Sequence, residues 1–383
     1  MRAKLGNKSE TAPKGADVTR LIVLIFLVLM PGVAVAETLT LSAGEVRVQK
    51  QAAGLKVPWG IDFLPDGRAL VTERGGRLFL LDGQGAKAPV KGVPKVYARG
   101  QGGLLDVMVP RDFDRSREVF LTYATKQKGG AGTAVGKGRL SADGRRLEGF
   151  RQIFEMAPGS SGGRHFGSRI VEARDGTLFV TIGDRGDDMA AQDLSRHNGS
   201  VIRITRDGAP APGNPFLGRD EAQPEIWSYG HRNPQGATLD LSGRLVVIEH
   251  GARGGDEVNR VQKGANYGWP VIAYGRHYSG AKIGEGTAKP GMQQPEFYWD
   301  PSIAPSGGMV YSGRLFPRWK GHLFTGSLKF DYLSRLSGSP LKEVERITGD
   351  FTTRTRDVAE APDGAIWVVS EGNGAVYRLS RAR

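Results

Sequence analysis

Beyond residue 36 the chain is a succession of short apolar runs, many alternating with polar positions, cut at close intervals by glycine-rich turns. No stretch sustains the three- and four-residue spacing of an amphipathic helix, so the pattern predicts strands almost throughout. Four segments share one shape: "FLPDGRALVTERGGRLFLLD", "EARDGTLFVTIGDRGD", "LDLSGRLVVIEHGARGG" and "APDGAIWVVSEGNGAVYRL". Each sets an Asp-Gly or Ser-Gly pair before an apolar strand that ends in a polar, glycine-rich loop. The Asp-Gly pair is expected to supply the positive φ of a two-residue hairpin turn.

Hairpins that recur without helices predict an all-β six-bladed β-propeller. At roughly 45 to 60 residues per blade, residues 37–383 suffice for six. Insertions at 206–225 and 276–300 blur the period, and a two-sheet sandwich is the alternative architecture. In a propeller the loops at one end of the ring face a common centre, so residues far apart in sequence converge there.

The first 36 residues read differently. Arg2, Lys4, Lys8, Lys14 and Arg20 lead into "LIVLIFLVLM" and then "PGVAVAET", the order of an export signal with a cut expected after Ala36. The apolar run falls short of the about 20 residues of a comfortable membrane span, so the mature domain, 37–383, is expected to be periplasmic or secreted, without a membrane span. A retained anchor is the alternative. The chain has no cysteine, which excludes disulfides and thiolate metal sites. Its formal charge of +13 falls to +10 without the leader, because five basic and two acidic residues go with it. No run of five or six basic residues and no nucleic-acid motif accompanies that charge, which leaves a general surface property or a small anionic ligand.

Five polar, glycine-flanked stretches are candidates for chemistry: "RGQGGLLDV" with Gln101, "GGRHFGSRI" with His165, "SYGHRNPQGA" with Arg232, Asn233 and Gln235, "EHGARGGDEVNRVQKGANYGWP" with Glu257 and Tyr267, and "IAPSGGMVYSG" with Ser306. Each alone is also ordinary turn material. His165 has the chemistry of a general base, since an imidazole titrates near neutrality. Asp184 of "TIGDRGD" ends the next strand, where a hairpin would let it orient the ring. The Arg232–Asn233–Gln235 cluster offers a five-donor fork beside two amides, suited to a ligand with carboxylates and carbonyls. The carboxylate and glycine loop around Glu257 suits a hard cation such as Ca²⁺, although its spacing is not that of an EF-hand. No HExxH-like pairing of the histidines points to zinc.

Taken in order, "VPWGIDFLPDGRALVTERGGRL", "GQGGLLDV", "HFGSRI", "PEIWSYGHRNPQG", "EHGARGGDE", "NYGWP", "SIAPSGGMVYSG" and "TRTRDVAEAPDG" make the chain resemble the soluble quinoprotein aldose sugar dehydrogenases, relatives of soluble glucose dehydrogenase. The resemblance covers nearly all of residues 37–383. It implies a six-bladed propeller holding pyrroloquinoline quinone (PQQ) and Ca²⁺ and oxidising aldoses at C1 to lactones. His165 would be the base and Asp184 its orienting acid. Gln101, Arg232, Asn233, Gln235, Lys329, Arg354 and Arg356 would hold the quinone, with Tyr278 and Ser306 as further pocket contacts. The carbonyls of Gly251 and Ala252 would bind the calcium at the quinone, and Glu257 with the backbone of Tyr267 a second one.

Two positions depart from the family pattern: Ala252 replaces a proline, which puts cation affinity in question, and Arg164 precedes the base, where its charge would lower the base's pKa. The electron acceptor would be a separate partner, as no haem-attachment motif is present. A propeller lactonase and a non-catalytic binding propeller are the competing readings; Lys329, Arg354, Arg356 and Arg232 count against the first, and the retained His165 with Gln101 and the Arg232–Asn233 pair against the second.

Overall fold

The computed structural model describes residues 37–382. The expected export signal lies outside the described residues. Within them the chain forms six antiparallel sheets, built one after another. The first blade runs from Pro58–Phe63 to Lys87–Val90, the second from Leu104–Met108 to Leu147–Glu155, and the third from Ile170–Glu172 to Ile226–Tyr229. The fourth runs from Pro234–Leu239 to Phe297–Trp299 and the fifth from Pro305–Val310 to Lys342–Thr348. The sixth begins with Thr355–Glu360, Ile366–Ser370 and Ala375–Arg381, and is completed by Gly44–Ala52 and Glu37–Leu41 from the other end of the described chain. First strands of successive blades pack against one another around a closed circuit, the sixth against the first. This is the six-bladed propeller the pattern predicted, and it excludes the sandwich.

The alternation along the strands explains the packing. In Leu178–Ile182, Leu178, Val180 and Ile182 pack toward the second blade, while Phe179 between them packs toward the fourth. In Leu245–Glu249, Leu245 and Val247 face the third blade, and Val246 and Ile248 face the fifth. Both faces of each blade are thus buried, and near-continuous apolar runs result. Six such inter-blade clusters make up most of the core.

The recurrent turn differs from the expected two-residue hairpin. At Leu64–Arg68, Gly67 N–H donates to Leu64 O at 2.9 Å and Leu64 N–H to Arg68 O at 2.8 Å, and only Gly67 has positive φ, at 88°. This is a type I turn closed by a glycine bulge. The same bonds recur at Ala173–Thr177, Asp240–Arg244 and Ala361–Ala365. Asp66, Asp175, Asp240 and Asp363 each accept a backbone N–H two residues on. The aspartate therefore caps the turn, and the glycine alone takes the left-handed conformation.

At the ring's centre Arg169 is buried between two acids, its Nη1 2.9 Å from Asp106 Oδ1 and 2.8 Å from Asp357 Oδ2. Its guanidinium lies over the Trp59 ring, 4.2 Å from the centroid. Residues of the first, second and sixth blades thus meet at one side chain. Among the described residues no helix is long and apolar enough to cross a membrane.

Candidate active site

The loop before Ile170–Glu172 carries His165, and the loop after Leu178–Ile182 carries Asp184. The two loops press together at Gly183, where an added Cβ would lie 2.2 Å from the His165 carbonyl oxygen, so no larger residue fits. His165 itself has φ 55° and Ser168 φ 81°, a left-handed backbone rarely taken by non-glycine residues. The result places His165 Nδ1 2.6 Å from Asp184 Oδ1. The His165 N–H donates to Gln101 Oε1 at 2.7 Å.

Burial disfavours charge on both partners. For Asp184 the hydrogen bonds from His165 and Gly186 and the positive Arg232 outweigh burial, and its carboxyl is held below the usual range. For His165 burial wins: the imidazole is pushed below its ordinary value although Asp184 pulls it upward, and Arg232 and Arg164 add to the depression. The downward influence expected from Arg164 is therefore present. A neutral ring whose Nδ1–H is given to Asp184 leaves its lone pair on Nε2, for which no protein partner stands among the described residues. That is the state a general base requires.

A cavity of about 470 Å³, tied to the His165 backbone through Gln101 but bordered by neither His165 nor Asp184 nor Arg232, is lined by Trp59, Arg74, Gln101, Gln235, His250, Ala252, Arg253, Tyr278, Ser302, Ala304, Leu328, Lys329, Arg354 and Arg356. Five of these are cations and none is a carboxylate. Arg356 is buried and donates to Glu371 Oε2 at 2.7 Å and to Gln235 Oε1 at 2.7 Å. Arg354 donates to Glu371 Oε1 at 2.8 Å and to the Leu328 carbonyl at 3.0 Å. Lys329 and Tyr278 are exposed at the cavity, Tyr278 to 74 %.

Ser306 stands apart from this group. It is fully buried, its hydroxyl donates to the Thr355 carbonyl at 2.8 Å, and it is not among the lining residues. Its place in an inner strand directs it to neighbouring backbone, and Ser302 lines the cavity instead. Asn233 is likewise fully enclosed: its Oδ1 accepts the Gly167 N–H at 3.3 Å and its carbonyl the His250 N–H at 3.1 Å, so it braces the loop of His165.

Arg232 lies over the Trp269 ring, 5.1 Å from its centroid. Its guanidinium donates to the Gly251 carbonyl and its backbone N–H to Glu249 Oε2 at 2.8 Å. It also borders a second, small chamber of about 20 Å³, shared with Glu249, Gly251, Ala252, Glu257, Tyr267 and Trp269. Burial, with the neighbouring Glu249, pushes the Glu257 carboxyl up to about 8. The buried Asn259 Oδ1 has no partner. The carbonyls of Ala252 and Tyr267 accept no hydrogen bond among the described residues. Two crowded carboxylates with spare carbonyl oxygens are a donor set for a hard cation. Among the described residues no three His, Asp or Glu side chains converge as a metal cluster, so such a cation would rely on backbone oxygens.

Three residues that matter here were not singled out by sequence reasoning. Trp269 donates its indole N–H to Asp184 Oδ2 at 2.9 Å. Arg185 stacks 3.3 Å from the Phe166 centroid and donates to the Gly162 and Arg164 carbonyls, which fixes the segment holding His165; burial pushes its guanidinium down to about 10. Glu371 joins Arg354 and Arg356. Trp269 and Arg185 stand inside motifs already noted, "NYGWP" and "GDRGD", but their partners are remote or on backbone.

Residues 55–378 match the family model described as Glucose / Sorbosone dehydrogenase. The chain is 42% identical over 361 residues to the aldose sugar dehydrogenase YliI of Escherichia coli, covering 92% of this chain and 97% of that protein. The apo-form crystal structure of the soluble E. coli aldose sugar dehydrogenase superposes with a TM-score of 0.84 at 42% identity, over 88% of this chain and 100% of that one. The PQQ-bound aldose sugar dehydrogenase of Streptomyces coelicolor superposes with a TM-score of 0.73 at 26% identity, over 91% and 98%. A closed six-bladed ring, a buried His–Asp pair on the loops of its third blade and these likenesses along nearly the whole chain agree: the protein belongs to the glucose/sorbosone dehydrogenase family.

Proposed function

We propose that the protein is a periplasmic dehydrogenase that oxidises aldoses at C1 to the corresponding lactones, using PQQ and calcium. The observation that carries this reading is a cavity of five cations and no carboxylate whose wall residue Gln101 also accepts the backbone N–H of His165, the imidazole being oriented by Asp184. A tricarboxylate such as the quinone suits that charge, because charge-assisted bonds to guanidinium are strong and directional. Arg354, Arg356 and Lys329 would pair its carboxylates, Gln101 and Gln235 would contact it from the wall, and Arg232 would approach from beneath. When bound, the quinone supplies the two-electron acceptor that takes hydride from C1 of the sugar.

His165 Nε2 takes the proton of the anomeric hydroxyl as the C1–O bond becomes a carbonyl. Asp184 holds the ring in the required tautomer and stabilises the imidazolium that forms. Calcium at the Gly251 and Ala252 carbonyls would act as a Lewis acid toward the quinone. Arg232 donates to the Gly251 oxygen, so calcium binding there would require that guanidinium to yield the carbonyl. The chamber of Glu249 and Glu257 would hold a second calcium.

The test is dye-linked oxidation of glucose and a panel of aldoses by apoprotein titrated with PQQ, in calcium and in excess chelator. Activity that needs both quinone and calcium supports the reading. Quinone that binds without activity on any aldose would point to another alcohol substrate, and absence of quinone binding would overturn it.

A further inference from the structure

Asp184 meets the base through one oxygen only. Oδ1 accepts from both His165 Nδ1 and the Gly186 N–H, each at 2.6 Å, whereas Oδ2 has a single partner among the described residues, the Trp269 indole N–H at 2.9 Å. That indole is itself held rigidly. The Trp269 backbone N–H donates to Gly230 O at 2.9 Å, its carbonyl accepts from Gln192 Nε2 at 2.7 Å, and its ring packs with Ala191, Ala252 and Ile283 beneath Arg232. A buried carboxylate oxygen left without a donor is strongly unfavourable, so the indole fixes which way the carboxylate faces.

We propose that Trp269 is a positioning residue for the His165–Asp184 pair, its indole N–H locking Asp184 in the orientation that holds His165 Nδ1 and leaves Nε2 free. The proposal rests on the reading of His165 as the base of an aldose dehydrogenase. The indole also forms a wall of the Glu249–Glu257 chamber, so one side chain joins that chamber, Arg232 and the catalytic pair. Its electrical effect has a definite sign. By donating to Asp184 it disperses the carboxylate charge; without it, Asp184 holds the imidazole proton more tightly and less neutral base remains at a given pH. The other charged and titratable groups facing the pair are Arg232, Arg164, Asp188 and His250, all unchanged by a substitution at Trp269.

Trp269→Phe keeps a ring beneath Arg232 and deletes only the donor. With PQQ and calcium, its quinone Kd should stay within about two-fold of wild type, while kcat at pH 7 falls roughly ten-fold and the acid limb of kcat/KM moves up by about half a unit to one unit. A structural role alone would not move that limb. The apoprotein offers a second readout that needs no variant at Trp269. Of the six indole N–H signals in a ¹⁵N correlation spectrum of wild type, one should shift through the His165 titration and be displaced in Asp184→Asn. An unchanged kcat and pH profile in Trp269→Phe would overturn the proposal. So would indole signals that follow neither pH nor Asp184→Asn, which decides the matter if the Phe variant fails to fold. Wild type inactive on every aldose, with that indole response intact, would instead defeat the dehydrogenase reading and leave the Trp269–Asp184 coupling standing.

Discussion

Arg356 and Glu371 form a two-point ion pair at the edge of the cation-lined cavity, Nε and Nη2 reaching the same carboxylate oxygen at 2.7 and 2.6 Å. Burial lowers the Arg356 pKa, Arg354 and Arg169 add to that, and Glu371 offsets only part of it. Glu371→Gln should therefore leave a buried, uncompensated guanidinium and cost the apoprotein about 3 kcal/mol, seen as a lower Tm by calorimetry. Saturating PQQ should recover part of the loss, because its carboxylates replace the missing charge. A variant as stable as wild type would mean that the pair contributes little.

His165→Ala should lower kcat by about 10²- to 10⁴-fold while the quinone Kd changes little, as read by dye reduction and by equilibrium titration. Because burial holds His165 below the usual 6.5, the neutral base persists to lower pH and the acid limb of kcat/KM should lie below 6.5. The sign for stability is the same: the folded protein binds this proton less readily than the unfolded chain, so the group subtracts stability as pH falls below 6.5. A limb above 7 would contradict the burial argument.

Arg232→Ala removes the guanidinium that borders the small chamber and packs on Trp269. Quinone affinity should fall by about 2 kcal/mol, roughly thirty-fold, measured as the Kd for PQQ in saturating calcium. A Kd equal to wild type would limit Arg232 to packing on Trp269.

Calcium should raise the Tm of the apoprotein, by up to about 2.7 kcal/mol in stability at a hundred-fold excess over its Kd. Glu257→Gln should largely abolish that increase, since Glu257 and Glu249 supply the charge of the small chamber. Calorimetry with calcium and with chelator separates the outcomes, and an equal calcium shift in both proteins would place the ion elsewhere.

Much of this architecture was legible in the chain because propeller blades bury both faces, so that runs such as "TLFVTI" announce interior strands directly. The motifs also place His165 before and Asp184 after one hairpin, whose antiparallel strands bring the two flanking loops together. What escaped was set by contacts of long range. Trp269 lies 85 residues from Asp184, and the bond between Arg356 and Gln235, each named as a quinone contact, spans 121. The turn type escaped for a local reason: "DG" is compatible with both turns, and only the φ of Asp66 separates them. Ser306 escaped because residues within one inner strand differ in whether they meet the cavity or the backbone of the next blade.

The sixth blade joins Ala375–Arg381 to Gly44–Ala52, and this governs the order in which the molecule can be made. The strand at 44–52 emerges early in synthesis and can pair at once with 37–41, but its other edge has no partner until the last residues have been added. Until then its edge, and that of the unfinished blade, stand open to pairing with other chains. Joining the ends of so long a loop is a slow, non-local event. Circularity thus makes the ring's completion the last step of folding, and deletion of either 37–52 or 375–381 should yield an open arc whose His–Asp pair has lost its enclosing wall.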